Sequence, residues 1–214
     1  MSIGLVDRMA GLALGSGVVI EPEVIDRLAE YVEMLFHWNH RINLTGLSWD
    51  DKGLERLVVE PLIAVSYLPK KQGGLSIVDI GSGGGSPAIP MKLAASGVGL
   101  RMIESKVKKG AFLREVVRRL NLSDTEVLSC RYEELVAQSD FRETADVVTL
   151  RAVRIDERSI KHLQQFLRVG GALFLFRNRA EPLPAVSPSL RHYQTCPLVN
   201  SLQSSLVVYQ KVGE

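Results

Sequence analysis

The residues that could do chemistry crowd into one stretch, SIVDIGSGGGSPAIPMKLA, from Ser76 to Ala94. An acid, Asp79, stands two positions before the first of four close glycines, Gly81, Gly83, Gly84 and Gly85, and Ser86 follows them. Glycines between an apolar run and a helix permit positive φ and let a ligand lie against the backbone. The helix beyond would present free N–H groups. A nicotinamide dinucleotide loop would read G-x-G-x-x-G, and here the third glycine slot is Ser86. An acid ahead of the glycines suits a ligand with a cationic amino-acid end better than a pyrophosphate. S-adenosylmethionine is such a ligand: backbone N–H groups can take its carboxylate and Asp79 can favour its ammonium. Glu104 falls about twenty residues past the loop, where an acid accepts from ribose hydroxyls. That role fits a nicotinamide dinucleotide equally well, so Glu104 does not separate the two.

These residues need a scaffold, and the pattern supplies one. LSIVDI, LRMIES, TEVLS, ADVVTLRA and ALFLF read as buried strands. Helices are expected at 86–95, 106–120, in YEELVAQ, and at 156–168 with Gly170 and Gly171 as the stop. Two further strands, at 192–198 and 206–212, have no helix between them, which implies a closing antiparallel hairpin. Strand–helix alternation implies parallel strands with right-handed crossovers. Ahead of this lies a helical part. Pro22 suits a first helical turn, and Val24, Ile25, Leu28, Tyr31, Val32, Leu35 and Phe36 recur at helical spacing to about His40. A second helix is expected from about Asp50, with Ser48 and Asp51 as its start box and Pro61 as a break or kink. The expected division is a helical extension, 1–74, packed on a ligand-binding core, 75–214.

Composition limits the alternatives. The chain has 214 residues, 46% of them hydrophobic, and a formal net charge of +2. This fits one compact unit with a real core and leaves room for a local basic face. Cys130 and Cys196 have no metal-ligand spacing. No apolar run is long enough to span a bilayer. The expectation is a cytoplasmic monomer without metal or membrane.

Taken together, NLTGL, the glycine stretch, IESKVKKGAFLREVVRRLNL, SCRYEEL and DVVTLRAV resemble, in order and spacing, the RsmG (GidB) family. The resemblance runs from the N-terminal helix to the strand that ends at Arg151. It implies a class I, Rossmann-like methyltransferase fold: a mostly parallel seven-stranded sheet with an antiparallel last strand, plus N-terminal helices. It also implies methyl transfer from S-adenosylmethionine to N7 of a guanine in bacterial 16S ribosomal RNA. By position it assigns Gly81 and Ser86 to the cofactor loop, Glu104 to the ribose, and Tyr132 and Glu133 to the adenine. Arg151 falls on an arginine facing cofactor and substrate; from the residues alone it reads equally as a strand-end salt bridge. The chain departs from the family pattern at Leu57, Glu60, Ser86 and Ala88, and TLRAV replaces the usual TSRAV.

The implied chemistry is self-consistent. Guanine N7 has an in-plane lone pair and no proton, so attack on a sulfonium methyl needs no general base. Catalysis would then be alignment and exclusion of water. Basic residues at the start of the 106–120 helix, Lys108 and Lys109, are expected to meet RNA phosphates, with Arg41 and Arg56 as further candidates; the rest of that helix, with a Glu115–Arg119 pair, reads as a solvated face. Val107, Phe112, Met34 and Met91 read as packing, and Trp38 as core. Two other functions stay open on sequence grounds. One is a non-catalytic RNA-binding or assembly factor. The other, a nicotinamide oxidoreductase, is disfavoured by Ser86.

Overall fold

The structure is a computed structural model that describes residues 3–152 and 156–213. Val153, the end of the TLRAV motif, lies outside them. The chain opens with a helix the sequence pattern hides, α1 (Ile3–Gly15). Its Gly11 interrupts the apolar periodicity, yet Met9 and Ala13 are fully buried, so tertiary packing sustains it. Next, α2 (Pro22–Ile42) has Pro22 in its first turn and buries Ile25, Leu28, Tyr31, Val32 and Leu35. It ends at Asn43 in the left-handed conformation, φ 48. The Asn39 side chain then accepts from the N–H groups of Leu44 and Thr45, at 2.7 and 2.9 Å, and turns the chain back.

The second helical segment is capped two residues beyond the expected Ser48. Asp50 is the cap of α3 (Asp51–Leu54), accepting from the N–H of Gly53 at 2.9 Å, while the Ser48 hydroxyl donates to Asp50. Pro61 neither breaks nor ends this segment. A π-helical turn, Glu55–Val59, carries α3 into α4 (Glu60–Val65) with Pro61 in its first turn. The π turn and Pro61 together change which helix carbonyls are satisfied internally.

Seven strands follow: β1 (Leu75–Ile80), β2 (Val98–Ile103), β3 (Thr125–Leu128), β4 (Ala145–Arg151), β5 (Leu167–Asn178), β6 (Leu190–Pro197) and β7 (Ser204–Lys211). Their order in the sheet is β3-β2-β1-β4-β5-β7-β6. The first five are parallel; β7 inserts between β5 and β6, antiparallel to both. Between them run α5 (Ala88–Ala94), α6 (Val107–Arg119), α7 (Tyr132–Val136) and α8 (Glu157–Leu163). The α5 helix starts later than expected because Ser86 and Pro87 belong to the turn before it. The α8 helix stops short of Arg168, and Gly170 and Gly171 lie inside β5 instead of ending a helix. There β5 shifts register against β4, and a Cβ on Gly171 would stand 2.9 Å from the Arg168 carbonyl oxygen.

Alternate strand residues face two cores. Ile77, Leu100, Met102 and Val147 pack with α2, α5 and α6 and with the segment around the π turn. Val78, Ile103, Val148 and Leu173 pack with α7 and α8. The N-terminal helices therefore share a core with one face of the sheet. Among the described residues no helix is long and apolar enough to cross a membrane, and none of the acid, histidine and cysteine groupings could hold a metal. The strand order reverses between β1 and β4, and the C-terminal ends of strands at such a switch point form a ligand crevice.

Candidate functional site

The crevice is floored by the loop that leaves β1. Gly83 and Gly85 take left-handed φ of 50 and 93. A Cβ at Gly85 would stand 2.3 Å from Ile89 Cδ1, so this glycine is needed for packing. A Cβ at Gly83 would meet nothing closer than 3.7 Å. The loop is held from three sides. Gly81 N–H donates to the Ile103 carbonyl at 2.8 Å. Gly83 N–H donates to Glu104 Oε2 at 2.9 Å. The Tyr31 hydroxyl, from α2, donates to the Gly84 carbonyl at 2.7 Å. Burial pushes the Tyr31 phenol far above its usual pKa, so it remains a donor.

Two acids sit beneath. Asp79 is 1% exposed. Its Oδ1 accepts from Thr149 Oγ1 at 2.6 Å, while Oδ2 has no partner. Burial raises its pKa to about 6, with the Thr149 and Ser82 hydroxyls opposing. Glu104 is buried at the end of β2 and accepts from Lys106 N–H at 2.7 Å through its other oxygen. Each of its oxygens retains a further lone pair.

Arg151 closes β4 and is the most heavily partnered of the expected site residues. Its Nη2 donates to Glu60 Oε2 at 2.8 Å. Its Nη1 donates to Ser86 Oγ at 3.2 Å and to the Arg56 carbonyl. The guanidinium lies 4.5 Å from the Phe176 ring centroid. Burial lowers its pKa and Glu60 opposes this, but a guanidinium stays charged. The Ser86 hydroxyl in turn donates to the Leu57 carbonyl at 2.8 Å. Ser86 therefore points its side chain at the N-terminal layer.

Two cavities open on this floor. The larger, about 850 Å³, is lined by the glycine loop, the 44–47 segment, Arg56, Glu60, Arg151 and the end of β5. The smaller, about 190 Å³, lies between Ile103, Ser105, Cys130, Tyr132 and Glu133. Gly81 lines both. Glu60, Tyr31, Phe176 and the 44–47 segment were not singled out by sequence reasoning as site residues. Only the departure at Glu60 and the NLT motif carried a signal for them.

The basic residues separate. Lys109 lines the larger cavity, with Nζ 3.5 Å from the Leu44 carbonyl oxygen, and Arg56 lines it too. Lys108 and Arg41 are exposed and do not line it. Val107 is 74% exposed, contrary to the expectation of packing, because it opens α6 on the solvent side. Glu115 pairs with Arg118 in place of Arg119, which reaches Glu30 on α2 instead. Trp38 packs near Phe112, at 5.8 Å between rings.

This sheet order, with a glycine loop after β1, an acid closing β2 and a crevice at the switch point, defines a class I S-adenosylmethionine-dependent methyltransferase. An S-adenosylmethionine-dependent methyltransferase from Aquifex aeolicus has the same fold: TM-score 0.55, 16% identity, covering 77% of this chain and 94% of that one. The residues present fit the cofactor. Two cavities that share Gly81 suit a long ligand with an aromatic end; Asp79, with its unpartnered oxygen, and Glu104 are buried beneath the loop and line neither cavity. The family model GidB, rRNA small subunit methyltransferase G, matches residues 24–183, and the chain belongs to that family. Curated relatives named ribosomal RNA small subunit methyltransferase G agree. The one from Carboxydothermus hydrogenoformans is 32% identical over 92% of this chain and 87% of its own. The one from Neisseria meningitidis is 39% identical over 67% of this chain and 65% of its own.

Proposed function

We propose that the protein transfers a methyl group from S-adenosylmethionine to N7 of a guanine in 16S ribosomal RNA, as a cytoplasmic monomer. The observation that carries this reading is the family match across residues 24–183, which includes the glycine loop and Arg151. When bound, the cofactor supplies an electrophilic methyl on a sulfonium.

In this reading the loop at Gly81, Gly83, Gly85 and Ser86 packs against the methionyl end, although the N–H groups of Gly81, Gly83 and Gly85 already donate to Ile103, Glu104 and Ser82, and Asp79 Oδ2 accepts from the ligand's ammonium. The free lone pairs of Glu104 accept from the ribose hydroxyls. Tyr132 and Glu133 border the adenine in the smaller cavity. The guanine enters the larger cavity with N7 toward the methyl. Arg151, already oriented by Glu60 and Ser86, donates toward guanine O6 and leaves N7 free to attack. Lys108, Lys109, Arg56 and Arg41 hold phosphates around the mouth, through contacts that position the RNA without reading its sequence.

The cavity chemistry supports a reaction without proton removal. Among the described residues that line the larger cavity there is no histidine or cysteine. Its two acids, Glu60 and Glu181, are paired with Arg151 and Arg177. The task left to the protein is alignment of N7, methyl carbon and sulfur, which is worth several orders of magnitude in rate. Mapping of N7-methylguanosine in ribosomal RNA from cells with and without this protein tests the proposal. The mark is expected in 16S RNA only when the protein is present; an unchanged map overturns it.

A further inference from the structure

Glu60 heads α4 in the N-terminal layer, yet the residue lines the larger cavity and is 3% exposed. One oxygen, Oε2, is taken by Arg151. The other, Oε1, is buried without a hydrogen-bond partner. A buried carboxylate oxygen without a donor is costly, and in a cavity wall it marks the place of a ligand donor.

We infer that Glu60 Oε1 accepts a hydrogen bond from the N1–H/2-amino edge of the guanine and so selects guanine as the methyl acceptor. The inference rests on the function proposed above. With N7 turned to the methyl donor, the edge bearing N1–H and the 2-amino group faces away from it. Glu60 is ion-paired to Arg151, which lies over Phe176 on β5, so a base whose O6 meets Arg151 would turn the neighbouring N1–H toward Glu60. Guanine presents two adjacent donors on this edge. Adenine presents an acceptor at N1 and would set a lone pair against the carboxylate.

The alternative donor is the cofactor ammonium, and charge argues against it. Arg151 at 2.8 Å already neutralises Glu60 and would repel a second cation. Asp79, which has its own unpartnered oxygen and no ion pair in contact, suits the ammonium better. A neutral donor edge is the better match for a carboxylate that is half of an ion pair.

The test is a cycle between protein and base. Full-length protein and Glu60→Gln are assayed on 16S RNA carrying guanine, hypoxanthine or 2-aminopurine at the target position. All three bases keep N7; hypoxanthine lacks only the 2-amino group, whereas 2-aminopurine lacks N1–H together with O6, the acceptor proposed for Arg151. The parent is expected to lose roughly 10- to 100-fold in kcat/KM on hypoxanthine. Glu60→Gln, which turns an amide N–H toward the base, should lose activity on guanine and discriminate guanine from hypoxanthine by no more than about twofold, with 2-aminopurine still poor through the missing O6. Its cofactor dissociation constant, from calorimetry, should stay within about twofold of the parent. If Glu60→Gln keeps the parent's preference, Glu60 does not read the base. If cofactor affinity falls while the preference survives, Glu60 holds the ammonium and the inference is overturned. If Glu60→Gln does not fold, Glu60→Asp keeps the charge, draws the oxygen back and gives the same comparison. A parent that leaves guanine RNA unmethylated defeats the proposed function itself, and the base-reading role with it.

Discussion

Pro61 leaves the carbonyls one turn behind it without its N–H, and Arg151 takes one of them. In the π turn Glu60 N–H reaches back to the Glu55 carbonyl. The Arg56 carbonyl then accepts from Arg151, and the Leu57 carbonyl from Ser86 Oγ. A proline that should disrupt a helix thus frees two acceptors that join the N-terminal layer to the strand end and the cofactor loop.

This arrangement gives Arg151 a structural role beside the one proposed for it. Arg151→Ala should destabilise the fold by roughly 3–5 kcal/mol, because it leaves Glu60 as an uncompensated buried charge. Removing both side chains should cost less than the sum of the single changes. Urea unfolding of the two single variants and the double variant checks this. Additive losses would mean the pair is not coupled.

The loop glycines should divide by cause. Gly85→Ala should fold poorly, because its Cβ would collide with Ile89 at a left-handed φ. Gly83→Ala should cost only about 1 kcal/mol in stability. It should nevertheless weaken cofactor binding, since the added methyl faces the cavity. Thermal unfolding and calorimetry read the two effects separately. Unimpaired cofactor affinity in folded Gly83→Ala or Gly83→Val would remove this part of the loop from the site.

Glu104 is expected to act on loop and ligand together. Glu104→Ala frees the N–H groups of Gly83 and Lys106 and removes the acceptor proposed for the ribose. Cofactor affinity should fall by about 1.5–3 kcal/mol, the range for hydrogen bonds to a charged group. An unchanged dissociation constant would take Glu104 out of the ligand's reach.

Asp79 should make both stability and binding depend on pH, in opposite senses. Its folded pKa of about 6 exceeds the ordinary 3.8, so the native state binds the proton more tightly than the unfolded state. Its contribution therefore favours folding most below about pH 4 and is lost as pH rises to about 6, a loss of at most about 3 kcal/mol. Asp79→Asn should flatten that region of the stability profile and stabilise the ligand-free protein near neutral pH. Cofactor binding needs the carboxylate and should weaken as pH falls below about 6. Denaturation and calorimetry across pH 4–8 measure both trends; flat profiles in the parent would contradict them.

Replacing Lys108 and Lys109 with alanine should weaken RNA binding and leave cofactor affinity nearly intact. Each lost phosphate contact should reduce the slope of log affinity against log salt by roughly 0.7–0.9. Of the two, Lys109 should also slow turnover, because it alone lines the cavity. Parent-like salt dependence in the double variant would move the RNA track to Arg41 and Arg56.

Much of this molecule is written in local sequence. Apolar runs such as LSIVDI, glycines at a strand-to-helix turn and acids at strand ends depend on near neighbours, and they mark strands and loop before any fold is known. The placement of Asp79 and Glu104 beside the loop, and the cofactor class, were legible for that reason. What tertiary structure alone decided lies in contacts between distant residues. The α1 helix forms because Met9 and Ala13 find a core, not because its sequence is strongly periodic. Strand β5 runs through Gly170 and Gly171 because its pairing with β4 outweighs their tendency to end a helix. Glu60 and Arg151 are 91 residues apart, and no spacing rule predicts that one oxygen of that acid would be neutralised and the other left buried without a partner. Local propensity sets which element forms; burial and pairing of polar groups across the fold set what each site residue is free to do.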